Sequence, residues 1–129
     1  MRIGINAFYL GAETTGSGQY INHLIRQLAR LEESEYILIN VKDTGYRISE
    51  NLAKLWFEQI SFPRACRRQG VELAHVPYFA PPLFPATPTV VTVHDLIPML
   101  LPIYRGSILV RLYTRLVAAA ARRDRKSVV

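Results

Sequence analysis

The residues best equipped for chemistry in this chain fall at two points, the run Thr15-Gly16-Ser17-Gly18-Gln19-Tyr20 and the dipeptide His94-Asp95. The first sits between an apolar run, Ile3 to Leu10, and an amphipathic one, Tyr20 to Leu31, and reads as strand, glycine loop, helix. Glycines in such a loop remove Cβ atoms where backbone must approach a ligand. The unpaired N–H groups of the helix start then point at whatever lies above the strand end. That chemistry suits a phosphate or another anion, held by Gly16, Ser17 and Gly18. The plainer alternative is a turn that only opens the helix, with Gly18 near its start. An imidazole at position 94 can donate a hydrogen bond to a ligand hydroxyl or polarise a leaving group, and Asp95 can orient it or accept from a hydroxyl. Its alternative is a ring satisfied within the fold.

Other chemistries fail on spacing. A dinucleotide fingerprint requires a third glycine at position 21, a tight turn after the strand and an acid closing the second strand. Here position 21 is Ile, the connection from Asn6 to Gly16 is long, and the second strand ends in Asn40-Val41-Lys42. No Gly-Lys-Ser/Thr follows the glycines, which excludes a Walker loop, and Gly16-Ser17-Gly18 lacks the spacing of a nucleophile elbow. The other histidines, His23 and His75, fall on a solvent-facing helix and inside a strand, so no metal site and no cofactor are expected. Cys66 is alone, which rules out an internal disulfide or a four-cysteine zinc site and fits a reducing compartment.

These groups need a frame to hold them. Arg2 to Ala7, Glu35 to Val41, Val71 to Val76 and Thr89 to Val93 read as strands, rich in Ile and Val. From Tyr20 the apolar positions Ile21, Leu24, Ile25, Leu28 and Leu31 keep helical spacing, with Asn22, His23, Arg26, Gln27 and Arg30 outward. Lys42 to Ser49 is a polar connection, Asn51 to Gln59 a helical segment broken near Pro63, and Arg64 to Gln69 a short helix closed by Gly70. Ser107 to Arg123 is a long amphipathic helix with Ile108, Leu109, Leu112, Tyr113, Leu116, Val117 and Ala120 on one face. The loop Pro77 to Pro88 holds five prolines among Tyr78, Phe79 and Phe84, and is stiff enough to form the lip of a cleft. Strands alternating with helices imply an open α/β sheet, mostly parallel, with helices on both faces and ligands at the carboxyl ends of the strands. The glycines and His94 both follow strand ends and should share one edge.

With 129 residues, half of them apolar, the chain suffices for one domain with a real core. Asn6 and the glycines interrupt the opening apolar residues before a secretory signal could form, and Leu96 to Tyr104 carries two prolines and is too short to span a bilayer. A cytoplasmic protein is expected. Its net charge of +6 lies entirely in the second half, where residues 65–129 hold nine Lys/Arg against three Asp/Glu. A basic half-surface suits an anionic substrate or peripheral contact with anionic lipid, for which the arginine face of the last helix is a candidate. Nucleic acid is not expected, because the aromatic interleaving and motifs are missing.

Four segments, MRIGINAFYL with TGSGQYI, LWFEQISFPRACRRQGVELAHVPYFAPPL, VVTVHDLIP and AAARRDR, together resemble the amino-terminal half of a GT-B glycosyltransferase of the family 4 type. The resemblance implies a Rossmann-like domain of a retaining, metal-independent transferase that moves a mannose- or rhamnose-like sugar from a nucleotide-sugar to a glycan or lipid-linked acceptor. It places Gly16 and Gly18 near the donor phosphates and His94, with Asp95 beside it, against the transferred sugar. Tyr78 and Phe79 become candidates for the acceptor rim. It also implies a second, donor-binding domain beyond this sequence; Lys126-Ser127-Val128-Val129 could begin a further strand, although Asp124 to Val129 departs from the family's pattern. The chain alone is then expected to be inactive and, with a domain face uncovered, to self-associate. A different class, a non-catalytic scaffold using its basic half on a membrane or protein partner, stays open at this point.

Overall fold

The computed structural model describes residues 1–31, 33–40, 50–95 and 108–123. The connection at Lys42–Ser49, the apolar stretch Leu96–Tyr104 and the strand expected at Lys126–Val129 lie outside them. Strands β1 (Arg2–Asn6), β2 (Glu35–Ile39), β3 (Leu73–Val76) and β4 (Thr89–Val91) form one all-parallel sheet in the order β2-β1-β3-β4. β1 is central, with Ile5 opposite Leu38 on one side and His75 on the other.

The register sorts the core into two layers. Gly4 pairs with Ala74 and Ile5 with His75, so Ala74 and Val76 share a face with Gly4 while Ile3, Ile5 and Ala7 point the other way. On the Ile5 face lies α1 (Gly16–Leu28), which buries Ile21 against Ile5 and Ala7, with Ile25 and Leu28 at the margin. On the Ala74 face lie α2 (Glu50–Trp56), a π turn (Phe57–Ser61) and α3 (Phe62–Arg68). They bury Phe57, Phe62, Ala65 and Cys66 against Ile39, Val71, Ala74 and Val76. Parallel strands covered on both sides must be apolar along nearly their whole length, as β1 and β3 are. Burial pushes the Cys66 thiol up to about 11, which makes it a packing group and a poor nucleophile.

Two boundaries differ from the sequence pattern for physical reasons. Helix α1 starts at Gly16 and not at Tyr20, because Thr15 caps it: its Oγ1 accepts the Gly18 N–H at 3.0 Å. The three residues Gly16-Ser17-Gly18 are therefore the first turn itself. Pro63 does not break its helix either. The Phe62 N–H reaches back five residues to the Phe57 carbonyl, and this widened turn lets Pro63 enter at the start of α3, where its missing N–H costs little. Gly70, at φ +62°, then closes α3 in the left-handed conformation that favours glycine.

The loop from β3 to β4 owes its order to a side chain as well as to its prolines. The Gln59 amide clamps it, with Leu83 N–H donating to Oε1 at 2.8 Å and Nε2 donating to the Pro81 carbonyl at 3.4 Å. The last helix, α4 (Ile108–Arg123), does not bury its whole apolar stripe. Val117 is buried and Tyr113 half-buried, while Leu112 and Leu116 face solvent. Among the described residues no helix is long and apolar enough to cross a membrane.

Candidate functional site at the carboxyl edge of the sheet

In this strand order the chain leaves β1 for β2 on one side and later returns to place β3 on the other. The connectivity thus reverses between β1 and β3, the position where open α/β sheets form a crevice at their carboxyl edge. Three segments meet there: the end of β1 at Asn6, the start of the proline loop at Pro77-Tyr78, and the residues after β4 ending at His94.

Helix α1 reaches His94 through Tyr20. One turn along α1 from Gly16, the Tyr20 ring meets the His94 ring edge to face, with centroids 4.7 Å apart and planes at 77°. His94 Nε2 lies 3.0 Å from the Pro77 carbonyl. A carbonyl can only accept, so Nε2 carries the proton and Nδ1 is the acceptor of the neutral ring. His94 and Asp95 are both exposed. In the first turn of α1 the Gly18 N–H is spent on Thr15 Oγ1 and the Gln19 N–H on the Thr15 carbonyl. The N–H groups of Gly16 and Ser17 have no acceptor among the described residues, and they carry the positive end of the helix dipole.

The two glycines have different reasons to be glycine. A Cβ on Gly18 would sit 1.9 Å from the Ala12 carbonyl oxygen, so this position holds the preceding loop against the helix. A Cβ on Gly16 meets nothing within 4 Å. Of the pair expected to approach an anion, only Gly16 presents an open surface, and Gly18 is a packing residue.

Tyr78 is displaced from the rim to which the sequence assigned it. It is 5% exposed, and its hydroxyl donates to Asn6 Oδ1 at 3.1 Å while its ring packs edge to face on Tyr9. The cause is the buried amide at the end of β1, which draws the phenol inward to satisfy it. Phe79, next along, is half-buried.

Beneath the rim the sequence reading missed a polar cluster. Glu58, in the π turn, is 2% exposed, accepts from the Tyr113 hydroxyl at 2.6 Å and lies 3.6 Å from Lys54 Nζ. Lys54 stands over the rings of Tyr9, Tyr78 and Phe8 at 5.1, 5.4 and 6.0 Å from their centroids. Asn6 Nδ2 and Glu58 Oε1 are buried without a hydrogen-bond partner among the described residues. Two signals in the sequence mark the cluster, a lone amide ending an otherwise apolar strand and a lone carboxylate between Phe57 and Phe62.

Burial pushes the Glu58 carboxyl above its ordinary 4.5, opposed by Lys54 and by the hydroxyls of Tyr113 and Tyr78. A raised acid keeps its proton longer in the folded chain than in the unfolded one. Its stabilising contribution is therefore complete below 4.5 and lost as pH rises through the raised value. Denaturant melts of the wild type are expected to lose stability relative to Glu58→Gln as pH climbs from 4.5 towards neutrality; parallel curves would contradict this. His75, whose pKa is lowered by burial, acts in the opposite sense in both proteins and cancels in the difference.

No group of three His, Cys, Asp or Glu side chains among the described residues is placed to hold a metal ion. No family model, curated protein or solved structure matches the chain.

Proposed function

We propose that this chain is the acceptor-side domain of a retaining, nucleotide-sugar-dependent glycosyltransferase of the GT-B type, working in the cytoplasm. The observation that supports the reading most is the Tyr20–His94 contact, which ties α1, one turn beyond its open start, to an imidazole at the edge where parallel α/β sheets bind ligands. The Gly16 and Ser17 N–H groups, with the helix dipole behind them, suit the pyrophosphate of a donor. His94, its Nε2 proton held by Pro77, offers Nδ1 to a hydroxyl of the sugar being transferred. Stabilising the leaving diphosphate and orienting the sugar are the two tasks that such a transfer asks of this side of a cleft. Asp95 stands beside His94 as a second polar contact, and the acceptor enters over the proline loop past Phe79.

A donor also needs a pocket for its base and ribose, which in this reading comes from a second α/β domain. The chain by itself is therefore expected to show no sugar transfer at ordinary rates, and joined to its donor domain to release nucleoside diphosphate with retention at the anomeric carbon. An assay of both forms against a panel of nucleotide-sugars tests this. Transfer by the lone chain, or none by the joined protein with any donor and acceptor, would contradict it. A non-catalytic scaffold would instead be indifferent to any change at His94.

A further inference from the structure

We infer that the outward face of the helical rod formed by α2, the π turn and α3 is a docking surface for anionic lipid. This face lies opposite α1 and its assignment is independent of His94. At its α2 end Leu52, Leu55 and Trp56 are 57%, 39% and 46% exposed, and with Gln59 and Ile60 they line a shallow apolar groove of about 270 Å³. Gln59 also clamps the proline loop at Pro81 and Leu83, and the next residue, Phe84, is 84% exposed. At the α3 end Arg64, Arg67 and Arg68 are exposed and have no ion-pair partner among the described residues.

Continuity along the rod makes these one surface. Leu52, Leu55, Trp56 and Ile60 keep the spacing of a single helical stripe, and the widened turn at Phe57–Ser61 inserts the residue that carries the stripe on to Arg64 and Arg68. Among the described side chains of the rod the exposed charge is of one sign, because Glu58 is buried. Aromatic and leucine side chains at one end with unpaired arginines at the other match a lipid interface, where rings enter the headgroup region and guanidinium groups meet anionic phosphates. α4, the helix favoured from sequence for this role, is the weaker candidate, since Tyr113 and Val117 turn inward.

Trp56 is the only tryptophan in the chain, so the surface contains its own reporter. Phosphatidylcholine vesicles containing phosphatidylglycerol are expected to shift its emission to the blue and shield it from acrylamide, less so as salt is raised; pure phosphatidylcholine should do little. The variant Arg64→Glu/Arg67→Glu/Arg68→Glu should need about tenfold more lipid or worse, and Leu52→Ser/Leu55→Ser should lose the blue shift, both with unchanged circular dichroism. Failure of the wild type to bind anionic vesicles would overturn the assignment, as would binding that leaves Trp56 open to quencher. A blue shift that grows with protein concentration without lipid would overturn it too, and assign the face to a protein contact.

Discussion

Gly18→Ala is expected to destabilise the chain by about 3 kcal/mol, because the new Cβ would lie 1.9 Å from a backbone oxygen, that of Ala12, which no side-chain rotation can relieve. Either the loop before α1 lifts or the helix start gives way, and the bond from Gly18 N–H to Thr15 Oγ1 goes with it. Gly16→Ala should leave stability within about 0.5 kcal/mol, since its Cβ enters open space. Denaturant melts of the two variants check the contrast directly. If Gly16→Ala still weakens nucleotide-sugar binding, the loss reports on backbone approach to the ligand. Equal destabilisation by both substitutions would mean that the first turn is packed differently from the way described.

On the transferase reading proposed above, His94→Ala in the chain joined to a donor domain is expected to lower turnover by about 10² to 10³-fold, the range for a positioned imidazole or a polar contact made in the transition state. The cost to folding should be about 1 kcal/mol, one hydrogen bond to Pro77 and one ring contact to Tyr20 on an exposed side chain. His94→Gln separates positioning from chemistry. Its amide N–H can still reach the Pro77 carbonyl, so full recovery of turnover would reduce His94 to a structural prop. Recovery of stability with turnover still low is the expected pattern. Steady-state kinetics beside melts of each variant decide between them.

The sheet was legible because its strands are rich in aliphatic residues, with the central β1 and β3 burying Ile5, Ala74 and Val76, and because α1 shows a clean stripe from Ile21 to Leu28. Where the pattern misled, a backbone hydrogen bond or a single polar atom was responsible. The apolar stripe cannot announce a cap, so the Thr15 bond that pulls Gly16 to Gly18 into α1 was invisible to it. Nor does a proline reveal whether the turn before it can widen, as Phe57–Ser61 does. The expectation that the glycines and His94 share an edge rested on parallel topology, whereas Tyr20, which brings α1 to His94, looked like one more apolar position of the helix. Tyr78 was assigned to the rim because its loop is aromatic and stiff. Its partner Asn6 lies 72 residues away, a separation over which sequence spacing carries no information.

The most direct test of the central claim, that the first turn of α1 and the imidazole beside it receive one ligand, is a nucleotide-sugar titration of the labelled chain followed by NMR. The amide signals of Gly16 and Ser17 and the ring signals of His94 should move together along one binding curve, giving a single weak Kd. Separate curves, or a response at one of the two and none at the other, would contradict it.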